Sequence, residues 1–464
     1  MEQRLDFDPD LLRRYDVSGP RYTSYPTAPQ FHEEFGPEAY RRAAAASNES
    51  AEPRPLSIYV HVPFCRQVCY YCACNRVITA NYARASGYLE RLFEEIALQG
   101  ELFASQRPVE QLHLGGGTPN YLSDEDLTAL LGNLRTHFNL ETGDHREFSI
   151  EIDPRDVSSG TIQQLAELGF NRMSVGVQDF HPTVQKAINR IQSAELTASV
   201  IEAGRRHGFR STNMDLIYGL PHQSVETFSA TLDTLLELRP ERLAVYNYAH
   251  LPHLFKVQRQ ISEADLPGPE EKLAILGLTI ERLTAAGYVY IGMDHFALPD
   301  DELAQAQKKG HLHRNFQGYS TRAECDLVAL GSTAIGKIGN TYSQNLREPE
   351  AYQERIATGE LAVFRGVELD ADDVLRREVI TDLMCHSELP FRRYEERHGI
   401  DFQSYFADDL ERLRPLVDDG LITIDQERIQ VLPRGRLLLR NVAMAFDRYL
   451  HQGTTQGQRF SRVL

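Results

Sequence analysis

From residue 57 onward the chain alternates between apolar, strand-like runs and amphipathic, helix-like stretches. Residues 57–61 precede, beyond a cysteine-rich loop, the amphipathic stretch 88–97; 111–115 precede 123–138, where Ser123 has N-cap chemistry; 148–153 precede 158–168. Residues 172–178 lead to a segment ending near 205, 211–219 lead to 224–236, and 242–249 lead through a longer excursion to a helix near 270–286. Such alternation predicts an α/β protein with a parallel sheet and helices outside it. About six units are too few to close an eight-unit barrel. The expectation is therefore a partial (β/α)6 barrel, with its chemistry at the C-terminal ends of the strands.

The first strand feeds the most distinctive stretch in the chain, Cys65-Arg-Gln-Val-Cys69-Tyr-Tyr-Cys72-Ala-Cys74. Pro63 ends the run Ser57-Ile-Tyr-Val-His-Val by removing a backbone donor, so four of the six cysteines fall on the following loop. Converging thiolates suit a soft metal centre. A structural zinc site would need a second knuckle, and the other cysteines, Cys325 and Cys385, are isolated. Cys69 and Cys72 alone could imitate a redox dithiol. The spacing Cys65-x3-Cys69-x2-Cys72, with Tyr71 before the last cysteine, resembles the signature of the radical S-adenosylmethionine (SAM) enzymes. That resemblance implies that Cys65, Cys69 and Cys72 hold three irons of one 4Fe-4S cluster, the fourth iron being open to SAM.

The other strand ends carry polar groups in succession. Gly115-Gly-Gly117-Thr118 follows the second strand and lacks the Lys-Ser/Thr of a phosphate loop. Its glycines permit close backbone approach to a ligand; a tight turn is the simpler reading of the tract alone. Glu151 alternates with Ile150 and Ile152 and so faces away from them. Gln178, Asp215 and Tyr248-Ala249 close the next strands, and Arg190 lies just beyond the fourth. Each alone has a structural explanation, but in sequence they predict one shared cavity.

Composition excludes some classes of function. An excess of 66 acidic over 49 basic side chains, net charge −17, argues against a general nucleic-acid binder. No apolar run is long enough to span a bilayer, the start does not read as a signal peptide, and clustered thiols point to the cytoplasm. Three regions are expected: an N-terminal arm (1–50), the barrel with its substrate loops (51–360) and a small, mostly helical C-terminal domain (361–464). The strand-like pair 421–424 and 429–431 gives the last a winged-helix-like layout, for which the acidic balance favours a lid or packing role over DNA binding.

Several longer motifs carry a closer resemblance. Gly19-Pro-Arg-Tyr-Thr-Ser-Tyr-Pro-Thr27, the cysteine string, His113-Leu-Gly-Gly-Gly-Thr-Pro119, Gly176-Val-Gln-Asp-Phe180, Asp215-Leu-Ile-Tyr-Gly-Leu-Pro221, Gly292-Met-Asp-His-Phe296 and His313-Arg-Asn-Phe-Gln-Gly-Tyr319 together resemble the oxygen-independent coproporphyrinogen III oxidase family. The likeness extends to Phe460-Ser-Arg-Val-Leu464. It implies decarboxylation of two propionates of coproporphyrinogen III to vinyl groups, giving protoporphyrinogen IX in haem biosynthesis by way of a 5'-deoxyadenosyl radical. It also implies two SAM molecules. Tyr59, Gly116 and Glu151 would meet the cluster-bound one; Tyr71, Gly117, Thr118, Gln178, Arg190, Asp215, Ala249 and Ile335 would meet the second. Position 71 is Phe in some members, a change that keeps ring stacking. Cys74 and His61 are candidates near the reacting atoms, His61 being equally readable as a satisfied core histidine. A tetracarboxylate substrate calls for guanidinium groups, and Arg21, Arg314 and Arg322 are candidates. The expected protein is a monomer that draws electrons from a flavodoxin-type donor, with no nucleic-acid or membrane partner. One rival is a haem-trafficking paralogue, which would lack the equivalents of Cys74 and the arm; another is a zinc-stabilised DNA-binding regulator.

Overall fold

The apolar runs of the sequence become neighbouring strands of one sheet in the computed structural model, which describes residues 5–322 and 325–451. The chain divides into two compact units. The sheet belongs to the unit formed by residues 30–275 and 324–368. Its strands are β1 (Leu56–Val62), β2 (Pro108–Gly116), β3 (Glu147–Ile152), β4 (Arg172–Gln178), β5 (Ser211–Tyr218), β6 (Arg242–Asn247), β7 (Asp326–Leu330), β8 (Ile335–Ile338), β9 (Thr341–Asn345) and β10 (Val363–Glu368). Within this unit they lie in the order β6-β5-β4-β3-β2-β1-β7-β8-β9-β10. Every pairing from β6 to β7 is parallel and every pairing from β7 to β10 is antiparallel. The six expected strands are thus joined by a seventh parallel one, β7, beside β1.

Strand β1 has a parallel neighbour on each side: Tyr59 is level with His113 of β2 and Ala329 of β7. Flanked strands of this kind read as near-continuous apolar runs. Accordingly, all of β1 except half-buried Tyr59 is buried. The crossover helices are α1 (Ala83–Gly100), α2 (Asp124–His137), α3 (Ser159–Glu167), α4 (Ala194–Arg206) and α5 (Val225–Leu238). Four of them open on a serine whose side chain accepts a first-turn N–H: Ser123, Ser158, Ser193 and Ser224. Each such cap stabilises its helix by about 1 kcal/mol and fixes where the chain turns back over the sheet.

Two buried ionic clusters tie β7 and its neighbours to the rest of this unit. Arg107 and Asp326 pair at 2.8 Å with side chains 2% and 1% exposed. Arg107 also donates to Arg54 O, Ser47 Oγ and Asn48 Oδ1, and Gly339 N donates to Asp326. Glu95 of α1 is fully buried and accepts from Gly331 N (2.6 Å), Asn345 Nδ2 (2.7 Å) and Tyr352 Oη (2.7 Å). Its neighbour Tyr88 donates to His61 O and accepts from Ser332 N. The turn after β7 is thereby fastened to the end of β1.

The second unit is assembled from three separate stretches: residues up to Pro29, Leu276 to 322 and Leu369 onward. The N-terminal region is not merely an extended arm. Asp8, accepting from Asp10 N and Leu11 N, starts the helix Pro9–Tyr15, and a further helix, Pro37–Asn48, belongs to the sheet unit. Pro at the first helical position suits both starts. Within the second unit, Arg14 pairs with Asp419, and Tyr22 donates to Asp447. The C-terminal part packs Phe391, Phe402, Phe406 and Phe446 together and carries the small antiparallel sheet Glu388–Pro390, Arg428–Val431, Ile422–Ile424. Helices followed by this hairpin give the winged-helix-like layout. The motif 460–464 lies outside the described residues.

Candidate functional site

Beyond Val62 the chain enters the cysteine loop, and hydrogen bonds hold that loop at both ends. Val77 N donates to Pro63 O and Thr79 N to Cys65 O; Tyr70 N donates to Ile188 O, and Asn189 Nδ2 to Val68 O. Tyr71 packs on the apolar cluster of Val184, Ile188, Leu220 and Tyr248, and its carbonyl accepts from Gln258. The loop therefore lies over the C-terminal ends of β2 to β5, enclosing a cavity of about 240 Å³.

All four clustered cysteines line this cavity, with Tyr71, Gly116, Gly117, Thr118, Glu151, Gln178, Arg190 and Asp215. The structure thus brings together most of the site residues expected from sequence. Tyr59, His61, Ala249 and Ile335 are not on its wall. Tyr59 stacks on His113 with centroids 5.8 Å apart, and its hydroxyl lies 3.1 Å from His61 Nδ1. His61 Nε2 is 3.1 Å from Asn75 O, so it carries the ring proton, and Nδ1 accepts from Tyr59. Burial lowers the His61 pKa and keeps the ring neutral. Both ring nitrogens are engaged, as in a satisfied core histidine. Ala249 follows β6 and Ile335 opens β8, each half-buried.

The glycine turn packs closely against the end of β1. A Cβ on Gly117 would lie 2.7 Å from Pro63 O, and one on Gly116, at φ +124°, would lie 2.8 Å from the His61 ring. Gly116 N donates to Glu151 Oε2 at 3.1 Å, so the β3 carboxylate is level with the turn. On the adjoining strands the same face presents Ser174, Gly176 and Asp215. Asp215 accepts from Ser174 Oγ and Asn213 Nδ2, and burial pushes its pKa up to about 6.

Beside the expected Arg190 stand two residues not foreseen, Asp153 and Arg155. Asp153, two residues past Glu151, accepts from Arg155 at 2.6 Å and Arg190 at 3.1 Å. Burial alone would raise the Asp153 pKa, but the two guanidinium groups hold it below its ordinary value. Arg155 Nη2 and Arg190 Nη1 also reach Cys69 Sγ, at 3.7 and 3.6 Å. Arg190 is buried, yet its Nε has no hydrogen-bond partner. Asp153 and Arg155 lie in the turn just past β3 and Arg190 lies beyond β4, so strand alternation does not mark them.

The donor set fits an iron–sulfur cluster. Cys65, Cys69 and Cys72 are free thiols on the wall of one cavity, and Cys74 is exposed. Burial pushes the Cys65 thiol up to about 11, whereas a hydrogen bond with Cys74 brings Cys72 down to about 6. Cluster binding would displace the remaining thiol protons. Among the described residues no three His, Cys, Asp or Glu side chains converge as ligands of a single ion. A cluster asks for something different, separate thiolates placed around a volume. The unpartnered Arg190 Nε suits a polar cofactor with a carboxylate beside it, while the glycines let the turn pack against Pro63 and His61.

Fold and site together define a radical SAM protein. Residues 59–235 match the family model of the radical SAM superfamily, and residues 369–438 match that of the HemN C-terminal domain. An oxygen-independent coproporphyrinogen III oxidase of Pseudomonas aeruginosa is 52% identical over 464 residues, with both chains covered in full. The protein of that name from Escherichia coli is 48% identical over 462 residues, covering 100% of this chain and 99% of the relative. The solved structure of E. coli coproporphyrinogen III oxidase (HemN), described as a radical SAM enzyme, superposes with a TM-score of 0.91 at 46% identity, covering 96% of this chain and all of the other. The chain belongs to the oxygen-independent coproporphyrinogen III oxidase family. Among the described residues no helix is long and apolar enough to cross a membrane.

Proposed function

We propose that this protein catalyses oxygen-independent oxidative decarboxylation of two propionates of coproporphyrinogen III to vinyl groups, yielding protoporphyrinogen IX for haem biosynthesis. The observation that carries this reading is one cavity at the strand ends that joins three thiols at radical SAM spacing to the glycine turn and Glu151. Full-length relatives named as oxidases support the substrate. Cys65, Cys69 and Cys72 would hold the cluster, and Gly116 and Glu151, with Tyr59 behind them, would position the SAM bound to it. Cluster and SAM, when bound, supply the one-electron chemistry that removes a hydrogen atom from a substrate propionate. The protein's own residues orient and enclose. Gly117 lets the turn seat against Pro63, Arg190 offers an unpaired donor toward an anionic group, and the Tyr71 cluster walls off water.

The cavity wall also holds Tyr71, Gly117, Thr118, Gln178, Arg190 and Asp215, which this reading assigns to a second SAM, with Ala249 and Ile335 as more distant members of that set. Cys74 stands outside the three-cysteine spacing and is assigned to chemistry on the substrate side. The same reading takes electrons from a flavodoxin-type donor and describes a cytoplasmic monomer, a location suited to thiols that must stay reduced.

The test is anaerobic turnover of reconstituted protein with SAM, a reductant and coproporphyrinogen III, following porphyrins by fluorescence after oxidation. Protoporphyrin formed together with methionine is the expected result. Cleavage of SAM without change in the porphyrinogen would refute the substrate. Serine at position 65, 69 or 72 should abolish the brown colour and all turnover. Cys74→Ser should keep the colour and SAM cleavage yet lose protoporphyrin.

A further inference from the structure

The second unit contains a guanidinium with no evident use in folding. Arg314 is in the hairpin of His313–Asn315 and Gly318–Ser320, paired across it with Tyr319, and its guanidinium carbon lies 4.8 Å from that ring's centroid. Arg314 is 6% exposed, yet Nε and Nη1 have no hydrogen-bond partner. A buried cation stripped of water and left without acceptors is costly unless something else supplies them. Its ring contact recovers only part of that cost.

Neighbouring charges point to what is missing. Asp294 is close enough to feel Arg314, but its carboxylate is paired with Arg21. Burial alone would raise the Asp294 pKa; Arg21, His295 and Arg314 hold it below its ordinary value. Arg440, 3% exposed, donates to the carbonyls of Gly19 and Pro20. Burial first, then repulsion from Arg21 and Arg314, pulls its pKa down to about 10. Three guanidinium groups thus gather around Asp294, and the one in the hairpin keeps free N–H donors. The chemistry that completes such a cluster is a further carboxylate.

We propose that Arg314, backed by Arg21, receives one propionate carboxylate of the tetracarboxylate substrate and so acts as a specificity residue. This rests on the decarboxylation reading above. The methionine carboxylate of SAM has the same chemistry, and the experiment separates the two.

In the full-length reconstituted protein, Arg314→Gln and Arg314→Lys are compared with the wild type in four measurements. These are KM and kcat for coproporphyrinogen III, SAM affinity by equilibrium dialysis, binding of coproporphyrin III by fluorescence quenching, and Tm. Loss of a charge-assisted contact to carboxylate predicts a rise in KM of about tenfold to a hundredfold for Gln, with weaker porphyrin binding to match. Lys should recover part of the loss. SAM affinity and cluster colour should be unchanged. A structural arginine would lower Tm when removed; an unpaired buried one should leave Tm unchanged or raise it. Unchanged KM in Arg314→Gln, or a fall in SAM affinity with KM unmoved, would overturn the proposal. If wild type binds coproporphyrin III without converting the porphyrinogen, the decarboxylation reading fails, while weaker binding by Arg314→Gln still upholds the carboxylate site. Absence of porphyrin binding by wild type overturns both.

Discussion

Replacing Glu95 by Gln should make the protein more stable at neutral pH, even though Glu95 accepts three hydrogen bonds. The carboxyl is fully buried, and burial pushes its pKa from 4.5 up to about 7 against the lowering effect of Gly331 N–H, Tyr352 and Asn345. The folded state therefore holds a proton that the unfolded state has released between about pH 4.5 and 7. Stability from this group is fully present below pH 4.5, declines as pH rises, and is lost above about pH 7. A carboxyl raised from 4.5 to about 7 corresponds to about 3 kcal/mol, an order-of-magnitude figure. Gln imitates the protonated carboxyl, so Glu95→Gln should match wild type near pH 4.5 and exceed it by up to about 3 kcal/mol at pH 8. Urea unfolding of the full-length protein from pH 4.5 to 8 measures this. The variant-minus-wild-type difference cancels other titrating groups. A difference that stays flat with pH, or a variant less stable at pH 8 than at pH 4.5 relative to wild type, would refute the assignment.

Arg107→Met should cost about 3–5 kcal/mol, because Asp326 would be left buried without its cation. The double variant with Asp326→Leu should recover much of that loss in the same unfolding assay. Gly117→Ala should weaken SAM binding at least tenfold, an order-of-magnitude expectation for a misplaced cradle, since the added methyl would sit 2.7 Å from Pro63 O. Equilibrium dialysis with intact cluster colour would check it.

How far the sequence could be read depended on how local the signal was. The cysteine spacing, the glycine turn and the alternation around Glu151 are short-range patterns, and each lies at the cavity as expected. Strand β7 was missed because Asp326–Leu330 is a short apolar run whose partner, β1, is far away in sequence. Glu95 was missed for another reason: a glutamate in an amphipathic stretch reads as solvent-facing. Yet it lies three residues after Leu92 and seven after Tyr88, on the buried stripe of α1. The Asp153–Arg155–Arg190 cluster depends on a turn beyond β4, which no periodicity marks. The N-terminal helices were missed because the tyrosines and prolines of 19–27 drew the reading toward an extended arm.

The three-stretch assembly of the second unit has a consequence for biosynthesis. Its first stretch leaves the ribosome before the sheet unit, whereas the last, beginning at Leu369, follows that unit. At ordinary elongation rates of about 5–20 residues per second, the early stretch waits roughly twenty seconds or more for its packing partners. The sheet unit, finished by Glu368, can meanwhile fold first. A chain truncated near Leu369 would therefore not be a smaller enzyme lacking a tail. It would be a folded sheet unit carrying two orphaned segments with buried surfaces exposed, a natural target for chaperones and proteases.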